Sequence, residues 1–209
     1  MLGSGRSVSG WQGIRRGVLA VCCLTAVLAG CANEAASEQA THYVGVTSDG
    51  SARVAVVIEG DRVAGYTCGY GATLGSHTGW LEGAFHDSRL FTSGDGGHGL
   101  DARLVDGELR GELQLEGGQA IAWTAVAARA GTREGLYDAV TRGCRAGAIV
   151  WNERDDGGCE VQGSACDEQG NRSQITVIDC PRTGPLQLTA TLGGKELRFE
   201  GERVSPDAP

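Results

Sequence analysis

The side chains able to do chemistry in this chain are few and unevenly placed. Four histidines, His42, His77, His86 and His98, all fall in the first half, near turns or near the start of the folded part. His77 follows a serine in Gly75-Ser76-His77-Thr78. Neighbours in sequence point apart unless the turn between them is unusual, so Ser76 and His77 are not expected to form a nucleophile–base pair. The chain contains no GxSxG elbow, no HExxH helix and no phosphate-binding glycine loop. A hydrolase built on His77 or His98 would need an acid or nucleophile brought close by the fold. The expectation is a protein that is not an enzyme, with no catalytic residue and no cofactor.

Cysteine usage is more telling. The chain has eight, at positions 22, 23, 31, 68, 144, 159, 166 and 180. Cys144, Cys159, Cys166 and Cys180 lie within 37 residues, and in an exported protein such a group reads as two disulfides. Spacing does not choose their pairing, and Cys68 is left as a free thiol, a small buried hydrophobe at a strand end. The alternative joins Cys68 to Cys144. A zinc site is disfavoured, since the cysteines include no CxxC and no histidine follows residue 98. Gly96 to Asp101, GGHGLD, matches the GGxGxD core of calcium-binding β-roll repeats. One copy cannot build their shared ion cage, and Arg103 stands where an apolar residue should follow, so a glycine-rich turn is expected. Asp155-Asp156-Gly157-Gly158 reads as another turn. No metal is expected.

The address is written at the N-terminus. Arg15 and Arg16 precede fourteen uncharged residues, Gly17 to Gly30, long enough for a signal-peptide core and too short to span a bilayer. The run ends Leu28-Ala29-Gly30-Cys31, which resembles the lipobox of bacterial lipoprotein precursors. The resemblance covers only the first 31 residues. It implies cleavage before Cys31, a diacylglyceryl thioether on that cysteine, acyl chains such as palmitate, and loss of Cys22 and Cys23 with the signal peptide. Two or three acyl chains, at roughly 0.8 kcal/mol per buried CH₂, hold a protein at a membrane unaided. Arg15-Arg16-Gly17-Val18-Leu19 also loosely resembles a twin-arginine signal, with Val where Phe is usual. Ala32 after the lipidated position resembles outer-membrane sorting, if the cell has two membranes. The expected partner is therefore a membrane reached through lipid, in the cell envelope outside the cytoplasm. Net charge is −8, and the three arginines before residue 31 leave −11 on the remainder, which excludes nucleic-acid binding and a polybasic lipid contact.

The elements that must position any site are strands. Residues 1–30 are expected as signal peptide, 31–41 as lipidated cysteine and polar tether, 42–128 as a β-meander and 129–209 as a second, Cys-rich β unit, either separate or continuous with the first. Short, partly alternating segments separated by Asp-Gly, Gly-Asp and Gly-Gly turns predict strands at 42–47, 52–59, 62–68, 79–86, 89–93, 99–105, 108–115 and 119–128. Others follow at 135–140, 146–151, 159–164, 173–179, 186–192 and 195–200. The fold class is all-β, an antiparallel meander closed as a small barrel or folded as a sandwich, followed by a smaller disulfide-stapled unit. Gly45, Gly65, Gly83 and Gly111 fall inside strands, where they permit bends in a curved sheet. In style the globular part resembles secreted all-β bacterial lipoproteins.

The candidate contacts for a ligand or partner are His77 in the long loop, Trp80 just after it at a barrel rim, and Trp151 at a strand end, whereas Trp123 reads as core. The expected function is a binding or interaction module for a small molecule, glycan or protein. The alternative is inhibition of an envelope or foreign enzyme through loop 69–78, with a hydrolase as a third class. Mass spectrometry of the membrane-extracted chain tests the address. The expected mass is Cys31–Pro209 plus diacylglyceryl, with four thiols alkylated only after reduction, and Cys31→Ala should leave the protein unlipidated.

Overall fold

The computed structural model describes residues 39–141 and 144–206. The signal segment, Cys31 and most of the tether lie outside the described residues. Fourteen antiparallel strands form two closed barrels within one compact unit. The first contains β1 (Thr41–Thr47), β2 (Ala52–Glu59), β3 (Arg62–Gly69), β4 (Gly79–His86), β5 (Arg89–Gly94), β6 (Gly99–Val105), β7 (Glu108–Gln114) and β8 (Ala120–Ala127). They run up and down in chain order, and β8 closes on β1 from Tyr43–Ala127 to Thr47–Trp123. The second contains β9 (Gly135–Val140), β10 (Arg145–Glu153), β11 (Cys159–Cys166), β12 (Arg172–Asp179), β13 (Leu186–Leu192) and β14 (Lys195–Arg203), with β14 returning to β9. The all-β meander and its disulfide-stapled successor are as the strand pattern foretold. The meander is a barrel rather than a sandwich, and the second unit closes as a barrel as well.

Each lumen is filled by its own residues. In the first, Val54, Val56, Leu81, Leu90, Leu100, Leu109, Leu113 and Trp123 are almost wholly buried. Gly111 lies between Leu109 and Leu113 because the barrel coils hard there: a Cβ would overlap the β6 backbone at Asp101 and Ala102. Trp123 pairs with Gly111 on one side and Thr47 on the other, so a large ring occupies the space that small neighbours leave. Six strands enclose a narrower lumen than eight. The second core is accordingly rich in alanine, with Ala139, Ala146, Ala148, Ala165 and Ala190. Disulfides Cys144–Cys166 and Cys159–Cys180 cross-link it, and Cys68 stays free and buried.

The barrels are docked through a third cluster that belongs to neither lumen. Val44, Ala55, Val57, Ala64, Tyr66 and Cys68 face out from β1–β3 against Leu136 and Ile149 of β9 and β10. Strands β2 and β3 are therefore buried on both faces, which is why their sequences lose the clean alternation of β7. Tyr66, 1% exposed, lies over Gly147, where any Cβ would enter its ring. Its hydroxyl is 3.0 Å from Ser164 Oγ. Gln162 Nε2 donates to the Cys68 carbonyl at 2.6 Å and Gln174 Nε2 to the Gly69 carbonyl at 3.1 Å.

At the opposite end of the junction the Leu136 N–H donates to His42 Nδ1 at 3.1 Å, and Arg203 Nε stands 3.2 Å from His42 Nε2. Both imidazole nitrogens face donors. Burial first, and the Arg203 charge second, depress the His42 pKa to about 3 and hold the ring neutral.

Removing the Tyr66 ring should leave a cavity between the barrels. Tyr66→Ala is expected to cost about 3–5 kcal/mol, the range for large aromatic truncations. Tyr66→Phe should cost about 1 kcal/mol, one buried hydrogen bond, and Gly147→Ala about 1–3 kcal/mol by overpacking. Urea unfolding midpoints of the three variants check the order.

Candidate functional site

Because the first barrel is a simple meander, four connections share one end: 48–51, 70–78, 95–98 and 115–119. Cys144 and the starts of β10 and β12 meet this end from the second barrel. Between them lies an open cleft of about 670 Å³. Ser76, His77, Trp80, Asp95, His98, Glu116 and Gln119 line it from the first barrel, and Cys144, Arg145 and Arg172 from the second.

The loop after β3 is folded down onto the barrel end. Thr73 Oγ1 accepts from the Tyr70 N–H at 2.9 Å and lies 2.7 Å from the Ser51 carbonyl, and the His77 N–H donates to the Thr73 carbonyl at 2.9 Å. Leu74 packs against the inter-barrel cluster, and the Gly69 N–H donates to Thr78 Oγ1 at 2.9 Å. Tyr70, 70% exposed, is the large side chain that projects. The tight winding also overturns one expectation. Ser76 Oγ and His77 Nδ1 are 2.8 Å apart, because the turn holds the serine over the ring of the following histidine.

His77 is buried, and its pKa lies below the usual histidine value. Desolvation is the main cause, opposed by the Asp49 carboxylate and reinforced by His98. His98 is half-buried, and its Nδ1 would stand 3.2 Å from a Cβ on Gly79, so the glycine leaves room for that ring. His42 and His86 lie elsewhere.

Trp80 forms the wall shared by both barrels. It pairs with Tyr66 across β3 and β4, with ring centroids 4.8 Å apart. Its indole N–H donates to the Arg145 carbonyl at 3.2 Å, and the Arg145 guanidinium stacks 3.8 Å from its ring centroid. Asp138 holds that guanidinium from the far side, with Nη2 to Oδ2 at 3.0 Å. Arg172 contacts Ser164 Oγ at 3.4 Å and has no carboxylate partner among the described residues. Cys166 pairs with Arg172 across β11 and β12, and Cys144 directly precedes Arg145. One disulfide therefore ties the residue before Arg145 to the strand residue that pairs with Arg172.

Of the three contacts expected from sequence, His77 and Trp80 meet here and Trp151 does not. Trp151 sits at a register shift in β10 and stacks under Arg53, its ring centroid 4.0 Å from the guanidinium carbon, in a separate groove. Arg145 and Arg172 had no local signal, since nothing in β10 or β12 announces which end meets the first barrel. Asp101 of the GGHGLD segment is engaged by Arg89 at 2.7 Å, and Asp156 caps its own turn by accepting from the Gly158 N–H at 2.8 Å. Among the described residues no three His, Cys, Asp or Glu side chains are grouped to hold a metal ion. Cys68 is sealed at the junction, and burial pushes its thiol up to about 11.

Imidazole-edited NMR titration of the four histidines tests these electrostatics. His77 should titrate below 6.5. Asp49→Asn should lower its pKa further by removing the opposing charge, and His98→Gln should raise it.

Comparison with protein-family models, with curated proteins and with solved structures found no match to this chain.

Proposed function

We propose that the chain is an envelope lipoprotein, anchored through Cys31, whose paired barrels form a binding module with its ligand site in the cleft at their shared end. The observation that carries this reading is the composition of that cleft. Two separately closed sheets contribute to one concavity, in which an aromatic wall, two imidazoles, an amide and an arginine without a carboxylate partner converge. Such a lining suits a polar small molecule, a glycan or a short segment of a protein partner. Two disulfides accord with an oxidising compartment.

Orientation supports the same reading. The chain enters β1 at Thr41, and this seven-residue strand leads to the cleft end. At about 3.3 Å per residue the cleft stands roughly 20 Å beyond the point where the tether joins the barrel. A tether from Cys31 would thus join the barrel at the end away from the cleft. Inhibition through loop 69–78 remains the alternative, and it would have to act chiefly through Tyr70, since Leu74, His77 and Thr78 are packed inward.

Intrinsic tryptophan fluorescence of the full detergent-solubilised chain, titrated with soluble glycan and peptide fragments of the cell envelope, tests the reading. A saturable change is expected. Arg172→Gln and Gln119→Ala, both at exposed positions, should weaken it about tenfold, equivalent to about 1.4 kcal/mol, without lowering the melting temperature. Binding that is unchanged in both variants, or absent for every fragment, would overturn it.

A further inference from the structure

We propose that Ser76 and His77 form a nucleophile–base pair that captures acyl groups in the cleft. The inference goes beyond ligand binding and reopens the hydrolase class that the sequence set aside for want of a nucleophile near a histidine. Ser76 is exposed and His77 is buried, and both line the cleft, so a bound carbonyl could reach Oγ beside the base. The 2.8 Å separation from Ser76 Oγ to His77 Nδ1 is the reach that proton transfer needs. A neutral imidazole is required to accept the proton, and desolvation of His77 favours that form. Asp49 and His98 lie close enough to act on the ring electrostatically, and the Asp49 charge stabilises the imidazolium formed during the transfer.

Donors for the developing oxyanion are at hand on the same turn. The backbone N–H groups of Gly75 and Ser76 have no hydrogen-bond partner among the described residues, whereas the His77 N–H is taken by Thr73. In the step itself Ser76 Oγ bonds to the acyl carbon and its proton passes to His77 Nδ1. The bond to the leaving group breaks, and His77 returns the proton to that group. Water then reverses the sequence and frees the serine. Esters or activated amides that fit the cleft are the substrate class.

The test is labelling of the full chain with a fluorophosphonate, which forms an Oγ–P bond with loss of fluoride, followed by peptide mass mapping. A single adduct on Ser76 is expected, absent in Ser76→Ala and slowed about a hundredfold or more in His77→Gln, the usual contribution of a general base. If His77→Gln does not fold, the pH profile of the wild type decides. A rate that rises to a plateau with an apparent pKa below 6.5 supports the pair, and one that climbs with hydroxide up to pH 9 overturns it. No adduct, an adduct on another residue, or equal labelling in folded His77→Gln also overturns it. Fragment binding without labelling would leave the cleft as a binding site and remove the dyad, and labelling without fragment binding would do the reverse.

Discussion

Tyr66 is a side chain that faces out of one closed barrel and is nevertheless buried, and the rest of the molecule is arranged around that fact. A barrel has no edges, so a second sheet cannot be added to it by strand pairing. The two units here can adhere only by covering outward-facing side chains. The ring of Tyr66 lies on a glycine backbone, its hydroxyl meets Ser164, and Gln162 and Gln174 reach the carbonyls at the end of β3. The Gly69 carbonyl lies past the last β3–β4 pair, Thr67–Gly79, and takes its amide donors from the second barrel. The amides thus fix the rotation and height of one barrel against the other, where apolar contact alone would leave both free to slide.

The cleft follows from that docking. Its walls belong to different barrels, so its width depends on the register that Tyr66 and the two glutamines impose. Trp80 is the link between docking and site: one side of its ring packs toward Tyr66, and the other carries Arg145. Cys144–Cys166 adds a constraint from the second barrel by joining the residue before Arg145 to the end of β11, where Cys166 pairs with Arg172. A small barrel buries little core by itself. Its two disulfides and the inter-barrel cluster offset that shortage.

The loop 70–78 shows how local chemistry and global position cooperate. Gly71 takes a positive φ, 56°, and Thr73 closes the turn with its own hydroxyl. Those interactions are local. What depresses the proton affinity of His77 is not, because burial is its main cause and the charges that act on it, Asp49 and His98, come from other connections. The same burial favours the neutral form of the imidazole in contact with the Ser76 hydroxyl.

The sequence by itself determined the strands and their turns. Asp-Gly and Gly-Gly pairs demand tight reversals, and period-two segments between them have no other way to hide leucine and expose arginine, as Leu109, Leu113 and their neighbours in β7 illustrate. It also assigned four cysteines to the second unit and left Cys68 single. Only the tertiary structure decided which cysteines pair, that both sheets close, and that they dock through β1–β3. The apolar run Ala55-Val56-Val57-Ile58 held a trace of that docking, since a strand wet on one face would alternate. Of the cleft the sequence marked His77 and Trp80, and nothing more. Ser76, Trp80, His98, Arg145 and Arg172 are separated by up to 96 residues, and their meeting depends on barrel closure and relative rotation. These are long-range quantities that no local spacing encodes. The Ser76–His77 contact is the reverse case: the residues are adjacent, yet only the tight winding of the loop turned the two side chains toward each other.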